Sequence, residues 1–220
     1  MILLRIPIIG FLFFLSFSFS LTAKNTFSAI PLDQFIPLFW GLGFYILFFV
    51  FLKIVKQDLC FFQTFSHELN HAVFGLLFFK KMNSFQVFSK RGGRVSFEGK
   101  GNLFIALAPY SVPLFALFVL LFRGILISTL VFPLQILIFF FLIFHWHSLF
   151  IEFRPYQSDL KEYGFIFSLA FVLFMNISLG SWIFLVAIQS YNEAFLYLQK
   201  SILEIPKNIE FIKSLIFKII

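Results

Sequence analysis

Residues 67–71 read His67-Glu68-Leu69-Asn70-His71, the pattern H-E-x-x-H, within a largely apolar run. On a helix, positions four apart share one face about 5–6 Å apart, so both imidazoles can reach a single Zn2+ at about 2.0–2.1 Å. Glu68, next to the first of them, is then placed to take a proton from the attacking water. With 4 His in the chain, chance would produce the pattern in roughly one such sequence in 400, so coincidence is a poor account of it. The competing account is polar glue: His67, Glu68 and His71 satisfied by one another and by Asn70 between packed helices. Against it stands the cost of an acid inside a membrane span, at least about 2.5–3.5 kcal/mol, which marks such groups as functional.

Two imidazoles leave zinc one protein ligand short of the usual catalytic three. Zinc, Glu68 and two neutral imidazoles sum to a single positive charge, and one further carboxylate ligand neutralises it, which a low-dielectric setting favours. The carboxylates outside the C-terminal tail are Asp33, Asp58, Glu98, Glu152, Asp159 and Glu162, besides Glu68. Asp159, in Tyr156-Gln157-Ser158-Asp159-Leu160 at the mouth of the last long apolar run, is the best placed. Glu152 and the pair His145 and His147 stay open as alternatives. That pair also reads as interfacial residues beside Trp146 in an aromatic belt.

The chain that must hold these residues is a membrane chain. Of its 220 residues 60% are hydrophobic and 12% charged, against about a quarter charged in soluble domains. The same balance excludes disorder. The net charge of +7 is spread between apolar runs and along the tail, which fits lipid head groups and not nucleic acid. A single cysteine, Cys60, allows no internal disulfide.

Runs long enough to span lipid cover 2–21, 35–52, 60–79, 102–122, 125–150 and 163–189. Residues 1–23 form either a secretory signal peptide or the first anchor. Alternation of Phe85 and Val87 with Val95 and Phe97 predicts two short strands around a turn at Arg91-Gly92-Gly93-Arg94. Pro109 and Pro113 must break 102–122, and lipid tolerates the freed carbonyls only where they face protein or water. That stretch, with Tyr110 and Ser111, is therefore expected to wall the access path of substrate and water. Residues 190–220 predict an amphipathic surface helix interrupted at Pro206. The expected fold is an all-α polytopic membrane protein with about five to six spanning segments, a small β-hairpin insertion and a C-terminal amphipathic helix. It forms one domain over 1–220 with a catalytic core at 60–165.

One difficulty follows from counting crossings. If 60–79, 102–122 and 125–150 all cross fully, Asp159 emerges where the zinc helix ends, and His71 lies about 13 Å below that surface at 1.5 Å per residue. Asp159 reaches it only if its loop dips inward or the proline-broken segment is re-entrant.

The motifs resemble those of the site-2 protease family of intramembrane zinc metallopeptidases, in particular its compact bacterial branch. Phe65-Ser66-His67-Glu68-Leu69-Asn70-His71-Ala72 is similar to the family's zinc-helix motif, with Asn70 where Gly is usual. Gly92-Gly93-Arg94-Val95 and Ala106-Leu107-Ala108-Pro109-Tyr110 resemble its strand region and following small-residue motif, and Ser158-Asp159 its third-ligand motif. The Asn that many relatives carry after the small-residue motif is absent here, and Asp159 stands outside a Leu-Asp-Gly context. The resemblance implies His67, His71 and Asp159 as zinc ligands and Glu68 as the catalytic base. It further implies hydrolysis of peptide bonds in membrane-spanning or membrane-adjacent proteins, in the bacterial cytoplasmic membrane, with the bilayer and a membrane protein substrate as partners and no nucleic acid. The alternative is a non-catalytic zinc-binding membrane protein, a carrier or assembly factor.

Overall fold

The computed structural model describes residues 2–88, 92–125 and 127–219; Arg91 of the expected turn lies outside them. The helices are α1 (Ile2–Ser28), α2 (Ile36–Ile54), α3 (Cys60–Leu77), α4 (Leu103–Ser111), α5 (Leu114–Leu120), α6 (Ser128–Glu152), α7 (Ser158–Tyr163), α8 (Phe165–Ile188), α9 (Tyr191–Leu203) and α10 (Ile205–Ile219). The strands β1 (Met82–Phe88) and β2 (Gly92–Phe97) form one antiparallel pair. Among the described residues four helical stretches are long and apolar enough to cross a membrane: Ile6–Ser28, Leu32–Ile54, Ser128–Glu152 and Phe165–Ile188, with mean hydropathy 2.0 to 2.3. A fifth is the bent pair Leu103–Ser111 and Leu114–Gly124, whose halves meet at 79°. The helix α3, expected as a span, is not among the four, because Gln63, Thr64, Ser66, His67, Glu68, Asn70 and His71 take a large share of its 18 residues.

By internal packing the chain divides into two units, Met1–Phe35 with Leu169–Ile220, and Ile36–Ser168. In the first, α1 carries a run of hydroxyls that return to their own backbone. Ser16, Ser20, Thr22 and Thr26 each bond the carbonyl four residues earlier, which satisfies them without water. Ser18 is fully buried and accepts from Asn208 Nδ2 at 2.7 Å, and Tyr197 donates to the Phe19 carbonyl at 3.4 Å. The C-terminal helices α9 and α10 are thus fastened to α1 by polar contacts. The break between them falls at Glu204, and Pro206 stands in the first turn of α10, where its missing N–H costs nothing.

In the second unit α2 lies along α6. Gly41 permits the approach, since a Cβ there would stand 3.0 Å from the Ile136 carbonyl. Tyr45, Leu52, Leu59 and Phe144 form a buried cluster on that seam. The sheet packs on α3, with Phe85 paired to Val95 and Val87 to Gly93. The two glycines are not the turn itself: both lie in β2, and only Gly92, at φ +79°, uses the conformational freedom that signals a turn. Asn102 caps α4 by accepting from the Ile105 N–H at 2.9 Å. That helix ends where Val112 turns extended ahead of Pro113, and a residue before proline is disfavoured in the helical region.

Candidate metal centre

Helix α3 presents His67 and His71 on one face, their rings 4.9 Å apart between centroids and their Nε2 atoms 3.2 Å apart. Asp159, in the first turn of α7, brings Oδ2 to 3.4 Å from both Nε2 atoms. Both Nδ1 atoms are spoken for by groups that can only accept: His67 Nδ1 donates to Glu152 Oε2 at 3.1 Å and His71 Nδ1 to the Ile105 carbonyl at 2.8 Å. In the neutral rings the protons therefore sit on Nδ1 and the lone pairs on Nε2. Three electron-pair donors converge on one point, an arrangement that asks for a cation. A tetrahedral zinc with ligands at 2.0–2.1 Å holds any two of them about 3.3–3.4 Å apart, which is the spacing of these atoms. Among the described residues His67, His71 and Asp159 form the one such group of potential metal ligands.

The local sequence explains the arrangement. Pro109 has no N–H, so the carbonyl of Ile105, four residues earlier in α4, loses its helical donor and is free to accept from His71. The 79° bend that follows keeps residues 102–124 from acting as one straight crossing; they form a broken span or a re-entrant loop. Asp159 meets α3 directly, with Oδ2 3.4 Å from both Nε2 atoms. Burial works against its charged form, but hydrogen bonds with His67 and His71, and their charge, outweigh it and hold the carboxyl well below the usual carboxylate range.

Glu68 is only 7% exposed and faces β2. A Cβ on Gly93 would stand 2.8 Å from Glu68 Oε1, so the strand can pass the carboxylate only with glycine there. A cavity of about 340 Å³, of the size of small ligand sites, is lined by His67, Glu68, His71, Gly93, Arg94 and Asp159, among others. Among the described residues none from 102 to 124 lines that cavity; the bent segment meets the group from the other side, the Ile105 carbonyl accepting from His71 and the Tyr110 hydroxyl donating to Asp159.

Of the alternatives for the third ligand, Glu152 lies at the site but on the far nitrogen of His67. His147 lies away from it, with Nδ1 2.5 Å from the Tyr45 hydroxyl, and His145 is buried in α6 outside the group. Sequence reasoning did not find the Ile105 carbonyl, which no side-chain pattern can reveal, or the steric role of Gly93. The proline four residues after Ile105 was the available signal for the first.

The sequence model of one protein family, described as Peptidase M50B-like, matches residues 40–151. The match takes in both histidines, Glu68, the strand pair and the bent segment, and ends just before Glu152. No curated protein and no solved structure matches the chain.

Proposed function

The chain belongs to the Peptidase M50B-like family, the site-2 protease family, and from that premise we propose that it is an integral membrane zinc endopeptidase. It hydrolyses peptide bonds of membrane-spanning or membrane-adjacent proteins, with the bacterial cytoplasmic membrane as its location. The observation that carries this reading is the triangle of His67 Nε2, His71 Nε2 and Asp159 Oδ2, at 3.2 to 3.4 Å, in one cavity with Glu68.

Those three atoms would hold the ion. Zinc, if bound there, would supply a Lewis acid that polarises the scissile carbonyl and makes the attacking water easier to deprotonate. Glu152 and the Ile105 carbonyl keep both rings in the Nδ1–H tautomer, so the Nε2 lone pairs point inward. The Glu68 carboxylate takes a proton from the attacking water and passes it to the leaving amine. Gly93 leaves that carboxylate room beside β2. A transmembrane substrate hides its carbonyls in helical hydrogen bonds and must unwind before attack. The β2 backbone from Gly92 to Val95 lines the cavity and offers an extended chain main-chain pairing with little sequence selection.

The test is Glu68→Gln in the purified full-length protein, reconstituted with a membrane protein substrate. Zinc content should stay as in the wild type and cleavage should be lost. Cleavage at the wild-type rate by Glu68→Gln would overturn the peptidase reading, and zinc binding without cleavage by the wild type would turn it towards a carrier or assembly factor.

A further inference from the structure

Two neighbouring residues of α4 reach the metal centre by different routes: Pro109 through the backbone, as described, and Tyr110 through its side chain. Tyr110 is fully buried, and its hydroxyl donates to Asp159 Oδ2 at 3.4 Å. That oxygen is the one lying 3.4 Å from both histidine Nε2 atoms. The other oxygen, Oδ1, accepts from Ser158 Oγ at 3.3 Å, so the carboxylate is held at both ends. The Tyr110 ring stands edge-on to His67 at 5.3 Å and to Phe153 at 5.6 Å between centroids. Tyr110 is not among the residues lining the cavity, so it does not meet a substrate there.

We propose that Tyr110 is a positioning residue for the metal ligand Asp159, its hydroxyl fixing which carboxylate oxygen faces the two imidazoles. The need for it is physical. Asp159 comes from α7, a helix of 6 residues, and its carboxylate turns about two side-chain torsions. A ligand on so short an element must be held within about 0.5 Å by its surroundings to be useful. The hydroxyl of a fully buried tyrosine on α4 supplies that hold and ties the ligand to the same helix whose Ile105 carbonyl orients His71. The ring against His67 keeps the two ligands in register.

This role rests on zinc being held as proposed above, and the experiment separates the two. The full-length protein in detergent is stripped of metal and titrated with Zn2+ against a chromogenic chelator, in four forms: wild type, Tyr110→Phe, Asp159→Ala and the double variant. Tyr110→Phe keeps the ring packed on His67 and Phe153, and the metal-free melting temperature checks that the fold is kept. Loss of such an outer contact costs 10–100-fold in metal affinity, and about tenfold is expected for Tyr110→Phe. In the Asp159→Ala background the same substitution should cost nothing, because the group it acts through is gone. Equal affinity of Tyr110→Phe and wild type overturns the proposal, and so does an equal loss in both backgrounds, which would mark a merely structural tyrosine. Absence of zinc binding by the wild type would instead overturn the zinc reading itself.

Discussion

Gly93→Ala places the smallest possible obstacle against Glu68, the proposed catalytic base. The added Cβ would lie 2.8 Å from Glu68 Oε1 and 2.9 Å from Cδ, whereas carbon and its neighbours rest at about 3.5–4.0 Å. Either Glu68 or β2 must give way by roughly 1 Å. Misplacement on that scale can cost about 100-fold in rate, or about 2.7 kcal/mol of barrier. None of the three ligand atoms is displaced directly, so zinc should remain. The assay is kcat/KM on a membrane protein substrate in proteoliposomes, with zinc content measured on the same samples. Gly43→Ala, where a Cβ meets nothing within 4 Å, serves as the control and should cleave as the wild type does. Cleavage by Gly93→Ala within about threefold of the wild type, far short of the 100-fold expected, would refute the reasoning that the strand is fitted to the base.

Other expectations follow from the supports of the site. Glu152→Ala should weaken zinc binding by about 10–100-fold without abolishing it, because Glu152 Oε2 orients His67 and is not one of the three ligand atoms; chelator competition measures this, and wild-type affinity would contradict it. Replacing both Pro109 and Pro113 by Ala should lower zinc affinity together with cleavage, since a straightened helix carries the Ile105 carbonyl away from His71; a variant that keeps its zinc but cleaves poorly would instead place these prolines in the access path. Tyr45→Phe removes the bond to His147 and should cost about 1 kcal/mol of stability with zinc affinity unchanged, read by thermal melting and by titration. Residues 1–23 should be retained, because α1 runs unbroken through Leu21, Thr22 and Ala23 and is fastened by Asn208 and Tyr197; intact mass spectrometry of the purified protein decides it, a loss near residue 23 pointing to a cleaved signal peptide.

The long helices were legible because lipid demands unbroken apolar length, a signal that needs no partner. The runs 35–52 and 125–150 fall close to Ile36–Ile54 and Ser128–Glu152. The His67, Glu68 and His71 arrangement was legible for a similar reason, since four-residue spacing on a helix is local geometry. Asp159 lies 88 positions beyond His71 in the chain, and its approach depends on a bend of 79° that two prolines announce without giving its angle. Gly93 was misread because adjacent glycines signal a turn through their backbone freedom. Gly93 is needed for a different reason, the absence of a Cβ beside Glu68, and only the packed structure exposes that. The Ile105 carbonyl is invisible to any side-chain pattern, although Pro109 marks it as a carbonyl without a helical donor.

The most direct test of the metal centre is the zinc-to-protein ratio of the purified full-length chain, measured by mass spectrometry of the metal in the wild type and in the His67→Ala/His71→Ala double variant. A single tetrahedral site predicts a ratio of about 1 in the wild type and a background level in the double variant, which keeps only Asp159 of the three ligands. Stoichiometric zinc in the double variant would contradict the assignment.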